Sequence, residues 1–213
     1  MKIVVVGCGG HAKVVVDAAL SAGIAAADLL GFVDDDPRRI GTEVMGMRVL
    51  STLESLAQPG AVSLVMGIGD NAARRGQFER ARALGYQVLT VIHPSAVVGR
   101  GCTFGPGTVV MANVVVNADT RIADNVILNT ACSVDHDCRV ESHVHVAPGA
   151  RVAGGVTIGA GTLLGIGAVV IPGMSIGAGT IVGAGAVVTR DLAANCVAVG
   201  SPARVIKRRK ETI

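Results

Sequence analysis

Through the C-terminal half of the chain runs an unbroken six-residue beat. Stepping by six from Val98 gives Phe104, Val110, Val116, Ile122, Leu128, Val134, Val140, Val146, Val152, Ile158, Leu164, Val170, Ile176, Val182 and Val188. Every one is apolar, and four residues after each beat comes a small or apolar residue, as at Cys102, Thr108, Val114, Ala168 and Ala186. Two side chains per hexapeptide therefore point inward. Three residues after each beat stands a residue that tolerates positive φ, mostly Gly, Asn or Asp, from Gly101 and Asn113 to Gly185 and Asp191; Ala131 and His143 are the exceptions. A short strand, a left-handed corner and another short strand, repeated every six residues, describe a parallel β-helix with three hexapeptides to a triangular coil. The run from Val98 to Val188 predicts about five coils, roughly 25 Å of stacked sheet at ~4.8 Å per layer. Each coil buries its beat residues only against its neighbours, so the ends need caps.

Hydrophobic residues are 50% of the 213, yet Phe, Trp and Tyr together are only 2%. The core is consequently built from Val, Ile, Leu and Ala, which suits a narrow coil interior. The net charge of +3 is too mild to point to nucleic acid, although Lys207-Arg208-Arg209-Lys210 is locally basic and reads as a solvated tail. No apolar run reaches the ~18 residues of a membrane span and no signal peptide is visible, so a cytoplasmic protein is expected. The five cysteines, Cys8, Cys102, Cys132, Cys138 and Cys196, lack paired metal spacing. No metal site is expected, and Cys102, Cys132 and Cys138 fall in the inward slot.

Before the beat begins, a different rule applies. Lys2 to Val6 is an apolar strand that enters Gly7-Cys8-Gly9-Gly10-His11-Ala12, and Lys13 to Leu20 reads as a helix. The free N–H groups and partial positive charge of that helix start suit a phosphate. A second strand, Leu29 to Val33, ends in Asp34-Asp35-Asp36, where a carboxylate is placed to reach a ribose or base. Val62 to Ile68 makes a third, followed by Gly69-Asp70-Asn71, a helix over Ala72 to Leu84 and a last strand from Gln87 to Ile92. A dinucleotide fold needs a second half, and this chain leaves the α/β pattern near His93-Pro94. One half holds one nucleotide, so a nucleotide-activated sugar is the simplest ligand.

Polar residues disturb the beat between Asn129 and Gly154, where Asp135, His136, Asp137, Glu141, Ser142, His143 and His145 cluster. A histidine can take a proton from an amine or hydroxyl attacking a thioester, an adjacent carboxylate can orient it, and glycine-corner amides can hold the oxyanion. Asp137 and His143 sit in the positive-φ slot and could serve the turn alone, while His145 faces outward and could pack at an oligomer contact.

As a set, Gly7-Cys8-Gly9-Gly10-His11, Asp34-Asp35-Asp36, His93-Pro94-Ser95-Ala96, Asn129-Thr130, His136-Asp137-Cys138, His145-Val146-Ala147-Pro148-Gly149 and Gly200-Ser201-Pro202-Ala203 resemble bacterial sugar acyltransferases related to sialic acid O-acetyltransferase, nearest to nucleotide-sugar N-acetyltransferases. The resemblance implies a left-handed β-helix, a homotrimer, and acetyl-CoA bound between subunits. It implies an α/β nucleotide-sugar domain at 1–92, the β-helix acyltransferase domain at 93–200 and a basic tail at 201–213. It also assigns residues: His136 as base, Asp137 as its acidic neighbour, and the Gly154 backbone amide as oxyanion donor. His145, Gly165, Ile166 and Ala184 contact the coenzyme, and Gly9, Gly10, His11, Asp34, Asp35, Gly69 and Asn129 contact the nucleotide sugar. The implied reaction is direct acetyl transfer to the amine of a nucleotide-linked 4-amino-6-deoxy sugar. Two alternatives stand beside it: O-acetylation of a sialic acid or related sugar, and a non-catalytic trimeric partner of a sugar-biosynthesis enzyme.

Overall fold

The computed structural model describes residues 1–56 and 59–209. Strands β1 (Ile3–Val6), β2 (Leu29–Val33), β3 (Glu43–Val44), β4 (Met47–Ser51) and β5 (Ser63–Met66) form a sheet in the order β3-β4-β2-β1-β5. The pairings of β1 with β2 and β5, and of β2 with β4, are parallel, while β3 and β4 make an antiparallel hairpin. That hairpin is absent from the sequence reading, because its turn, Met45-Gly46, is short and Met45 takes positive φ without being Gly or Asn. Helix α1 (Gly10–Ser21) follows β1, and α2 (Asn71–Ala83) follows β5. β1 is fully buried, so it reads as an unbroken apolar run rather than an alternating one.

Strand β6 (Val91–Ile92) opens the β-helix. Two-residue strands then recur every six residues, each ending on a beat residue. They stack into three parallel faces. The first carries Val97–Val98, Val115–Val116, Ser133–Val134, Arg151–Val152, Val169–Val170 and Val187–Val188; the second runs from Thr103–Phe104 to Ser175–Ile176; the third runs from Val91–Ile92 through Ile127–Leu128 and His145–Val146 to Cys196–Val199. From Val110 to Val188 every beat residue is buried; Val98 is 41% exposed and Phe104 only partly covered, because no full coil lies beneath them.

At the corners one expectation is corrected. Ala131 (φ 56°) and His143 (φ 65°), the exceptions in residue type, adopt the left-handed conformation that their slot calls for, so the coil geometry outweighs the steric cost of roughly 1–2 kcal/mol. Asp191 does not. Asn195, with φ 54° and its N–H donating to Ala178 O, forms the next left-handed corner, stacked after Gly179, and it arrives early because the last coil is shorter than those before it. The basic segment is likewise not wholly loose: Arg204–Arg208 pairs antiparallel with Cys196–Val199 and caps the third face, while Lys210 and the residues after it lie outside the described residues. Among the described residues no helix is long and apolar enough to cross a membrane.

Arg74 joins the two layers. Its side chain is fully buried, and its guanidinium donates to the backbone carbonyls of Asn125, His143, Val144, Ile68 and Gly69 and to the side chain of Asn71. Burial lowers it to about 10, which still leaves it charged near neutrality. Asn71 adds a second tie, its Nδ2 donating to Gly161 O at 3.1 Å and Thr162 O at 3.2 Å. His143 completes the joint, edge-on to Phe78 at 5.8 Å and bonded to Asn125. Its ring is thus occupied in packing α2 onto the coils.

Candidate active site

Gly7 starts the first cluster. It has φ +88°, and a Cβ there would lie 2.5 Å from Ile68 Cγ1, so only glycine lets β1 turn under the β5 loop. Gly9 then caps α1 without any side chain bonding the first turn, and no acidic residue sits there, so the helix offers its free N–H groups to a ligand. Gly9, Gly10, His11, Asp34, Asp35 and Gly69 line one cavity of about 740 Å³ together with Arg39, Leu53, Gln77 and Arg80. The volume suits a nucleotide-sized ligand.

The two aspartates differ in employment. Asp34 accepts from Cys8 N (3.2 Å), Cys8 Sγ (3.0 Å) and Asp36 N (3.0 Å), so its carboxylate braces the β1 and β2 loops against each other. These bonds hold it below the usual carboxylate range against the opposing effect of burial. Asp35 instead accepts from Gln77 Nε2 and from Arg80 at 3.2 Å. Arg39 reaches Cys8 O and Sγ at 3.3 and 3.1 Å. Neither Arg39, Gln77 nor Arg80 was singled out from the sequence: Arg39 lies in the short turn Pro37–Arg39 after the aspartates, and Gln77 and Arg80 lie on α2, where a helix carrying several arginines reads first as a solvated face.

His11 and His145 meet where the α/β layer touches the coils. Their ring centroids are 6.2 Å apart, and Asn129 Nδ2 lies 3.0 Å from His145 Nε2. Burial, reinforced by the Arg74 charge, pushes both rings down to about 4. Both are neutral at physiological pH. His11 Nε2 is buried with no partner among the described residues. His145 stands on the third face, beside these nucleotide-side loops, whereas Gly165, Ile166 and Ala184 lie on the corner between the third and first faces. There a Cβ on Gly165 would sit 2.6 Å from Ala184 N, and Ile166 is 63% exposed. Asn129 belongs to that same corner, two coils earlier.

The corner between the first and second faces holds the remaining residues. His136 Nδ1 lies 2.8 Å from Asp137 Oδ2, and both side chains are exposed. A carboxylate only accepts, so Nδ1 carries the proton and Nε2 keeps its lone pair. The Asp137 bond first, and then the Asp135 charge, raise the His136 pKa and make the ring more basic. Asp137 takes φ 58°, the left-handed turn that swings its carboxylate back to the preceding ring. One coil on, Gly154 lies against the imidazole. Cys138 points inward and is buried, and burial raises its thiol, so it supplies no thiolate nucleophile. No group of three or more His, Cys, Asp or Glu able to hold a metal ion occurs among the described residues.

Residues 2–81 match the family model of the PglD N-terminal domain. A histidine-to-asparagine mutant of perosamine N-acetyltransferase from Caulobacter crescentus, solved with CoA and GDP-perosamine, is 42% identical; the match covers 97% of this chain and 97% of that one, with a TM-score of 0.89. The acetyltransferase domain of PglB from Neisseria gonorrhoeae FA1090, in complex with acetyl coenzyme A, is 38% identical over 96% of this chain and 98% of that one, with a TM-score of 0.87. WeeI from Acinetobacter baumannii AYE is 28% identical over 97% and 100%, with a TM-score of 0.88. The parallel coils and the full-length likeness lead to one conclusion: this chain belongs to the nucleotide-sugar acetyltransferases of the left-handed β-helix family.

Proposed function

We propose that this chain transfers the acetyl group of acetyl-CoA to the amine of a nucleotide-linked 4-amino-6-deoxy sugar. The observation that carries the reading is the His136, Asp137 and Gly154 corner in a chain that also presents a glycine-lined cavity at a helix N-terminus. The likeness to an enzyme solved with CoA and GDP-perosamine supports it. His136 Nε2 takes a proton from the sugar amine as the nitrogen attacks the thioester carbonyl, and Asp137 stabilises the imidazolium that forms. The Gly154 amide faces the oxyanion. The C–S bond then breaks, the amide product leaves, and the thiolate takes up the proton as free coenzyme A. Gly9, Gly10, His11, Asp35, Gly69 and Asn129 bind the nucleotide sugar, with Asp34 holding their loops; Gly165, Ile166, Ala184 and His145 contact the coenzyme. In this division residues 1–92 bind the nucleotide sugar, 93–200 carry the acyltransferase, and 201–213 form the basic tail, of which Arg204–Arg208 closes the coil stack.

The working unit in this reading is a homotrimer. The His136 corner and the Gly165, Ile166 and Ala184 corner flank the same first face from opposite edges. That face shows valines outward, Val97 at 62% and Val169 at 36% exposure. Three such faces turned toward a threefold axis cover the valines and bring one edge of each chain against the other edge of its neighbour. Acetyl-CoA and nucleotide sugars are cytoplasmic metabolites, and we assign the enzyme to that compartment.

The test is mass determination by light scattering or analytical ultracentrifugation, coupled to free-thiol release with the sugar nucleotide present. A trimer that releases thiol only when a nucleotide-linked amino sugar is present supports the reading. A monomer with full turnover removes the shared site, and turnover with sialic acid alone moves the acceptor from nitrogen to oxygen.

A further inference from the structure

We infer that the C-terminal pole of the coil stack is a docking surface for anionic lipid, so that the protein binds peripherally to a membrane leaflet rich in such lipids. Charge along the chain is lopsided. Residues 142–213 carry seven Lys and Arg against two acids, Asp191 and Glu211, a net +5, whereas residues 1–141 carry twelve against fourteen, a net −2. Six of the seven cations, Arg190, Arg204, Lys207, Arg208, Arg209 and Lys210, fall in the last 24 residues. The fold collects the described ones at one end. Arg190 follows Val187–Val188, the end strand of the first face, and Arg204–Arg208 is the outermost strand of the third, at the opposite end from β6. None of Arg190, Arg204, Lys207, Arg208 and Arg209 pairs with a carboxylate among the described residues; Arg204 and Arg209 bond only the backbone carbonyls of Ala203 and Gly179.

Charge alone would serve to blunt the free edge of that last strand. The same strand also carries Val205 at 47% and Ile206 at 66% exposure. Its register against Cys196–Val199 shifts there, setting Lys207 against Val197 and Val205 against Ala198, so Ile206 is the extra residue of a bulge. All five residues of the strand are exposed, so the two aliphatic side chains stand out among the cations instead of lining a groove. Aliphatic groups ringed by Lys and Arg fit the boundary between acyl chains and anionic headgroups, where the cations meet phosphates and the aliphatics leave water. A nucleic acid would use the charge but not the aliphatics: unpaired bases stack on aromatic rings, and every Phe and Tyr of this chain lies before residue 105, with no Trp anywhere. In the trimer proposed above, three stacks side by side turn three such poles the same way, so one flat surface engages all of them and avidity adds to each contact.

The experiment is co-sedimentation of the full chain with vesicles of phosphatidylcholine alone and of phosphatidylcholine mixed with phosphatidylglycerol, at low and at physiological salt. Binding is expected to the mixed vesicles and not to phosphatidylcholine alone, weakening as salt rises. Lys207→Gln/Arg208→Gln should weaken it roughly tenfold or more. Ile206→Ser should weaken it severalfold at both salt levels, because the aliphatic contact is not screened. All three side chains are exposed, so each variant is expected to keep the wild-type melting temperature and, without vesicles, the wild-type rate of thiol release. No binding to mixed vesicles, equal binding to both kinds, or an Ile206→Ser variant that binds like wild type overturns the lipid inference. Tighter binding to a single-stranded RNA than to mixed vesicles overturns it too. Each of these results leaves the acetyltransferase reading standing, since thiol release is measured without vesicles.

Discussion

His136 and Gly154 stand one coil apart with the imidazole lying over the glycine, so that a Cβ at 154 would come within 2.6 Å of both Cε1 and Nε2. The backbone links them too, since Gly155 N donates to His136 O at 2.9 Å. The ring that carries the free lone pair and the amide assigned to the oxyanion are therefore set by one interlayer contact. Gly154→Ala is expected to push the ring off its seat and lower kcat by at least tenfold, while leaving melting temperature within a few degrees. Circular dichroism and steady-state kinetics check both halves.

His136→Ala removes the base, and turnover should fall by ~10²–10⁴-fold with acetyl-CoA affinity nearly unchanged. Asp137→Asn keeps the base and removes the group most responsible for raising its pKa. A base works unprotonated, so activity rises with pH through the His136 pKa. The variant's acidic limb should shift to lower pH than wild type, with a reduced plateau. An unshifted limb would detach Asp137 from the ring.

Stability should respond to acid through another histidine pair. His11 and His145 are held neutral, near 4, below the ordinary histidine value of about 6.5. Between those values the unfolded chain binds more protons than the folded one, so stability is complete above about pH 6.5, falls as pH drops, and stops falling near 4. The loss is of order 1–3 kcal/mol per ring, the lower end applying if water reaches the joint. Urea midpoints measured from pH 7.5 to 4.5 should decline in wild type and flatten in a His11→Gln/His145→Gln double variant.

Arg74→Met strips donors from five backbone carbonyls at the joint between α2 and the coils. A destabilisation of at least about 3 kcal/mol is expected. Arg74→Lys should recover little, because a single ammonium cannot span carbonyls that a planar fork reaches together. Chemical denaturation of both variants is the check.

How much of this was legible beforehand follows from range. The β-helix, its register and its inward residues repeat every six positions, so local spacing suffices, and even Ala131 and His143, wrong in residue type for the slot, were carried into left-handed corners by their neighbours. The glycine turn, both helices and the carboxylates after β2 were legible for the same reason. The short β3–β4 hairpin lacks a turn signature and escaped notice. Arg74 was invisible because seven arginines stand from position 38 to position 82, and nothing local tells the buried one from its solvated neighbours. His145 was read as an outward residue for the coenzyme; its contact with His11 depends on how the α/β layer docks, a relationship spacing along the chain does not encode.

The most direct test of the central claim is product analysis. Purified protein is mixed with acetyl-CoA and a nucleotide-linked 4-amino-6-deoxy sugar, thiol release is followed, and the sugar is examined by mass spectrometry and NMR. The account predicts one coenzyme A released per sugar, with the acetyl group in amide linkage at the 4-amino nitrogen and turnover lost in His136→Ala. Thiol release without an acetylated amine, or an unchanged rate in His136→Ala, would contradict it.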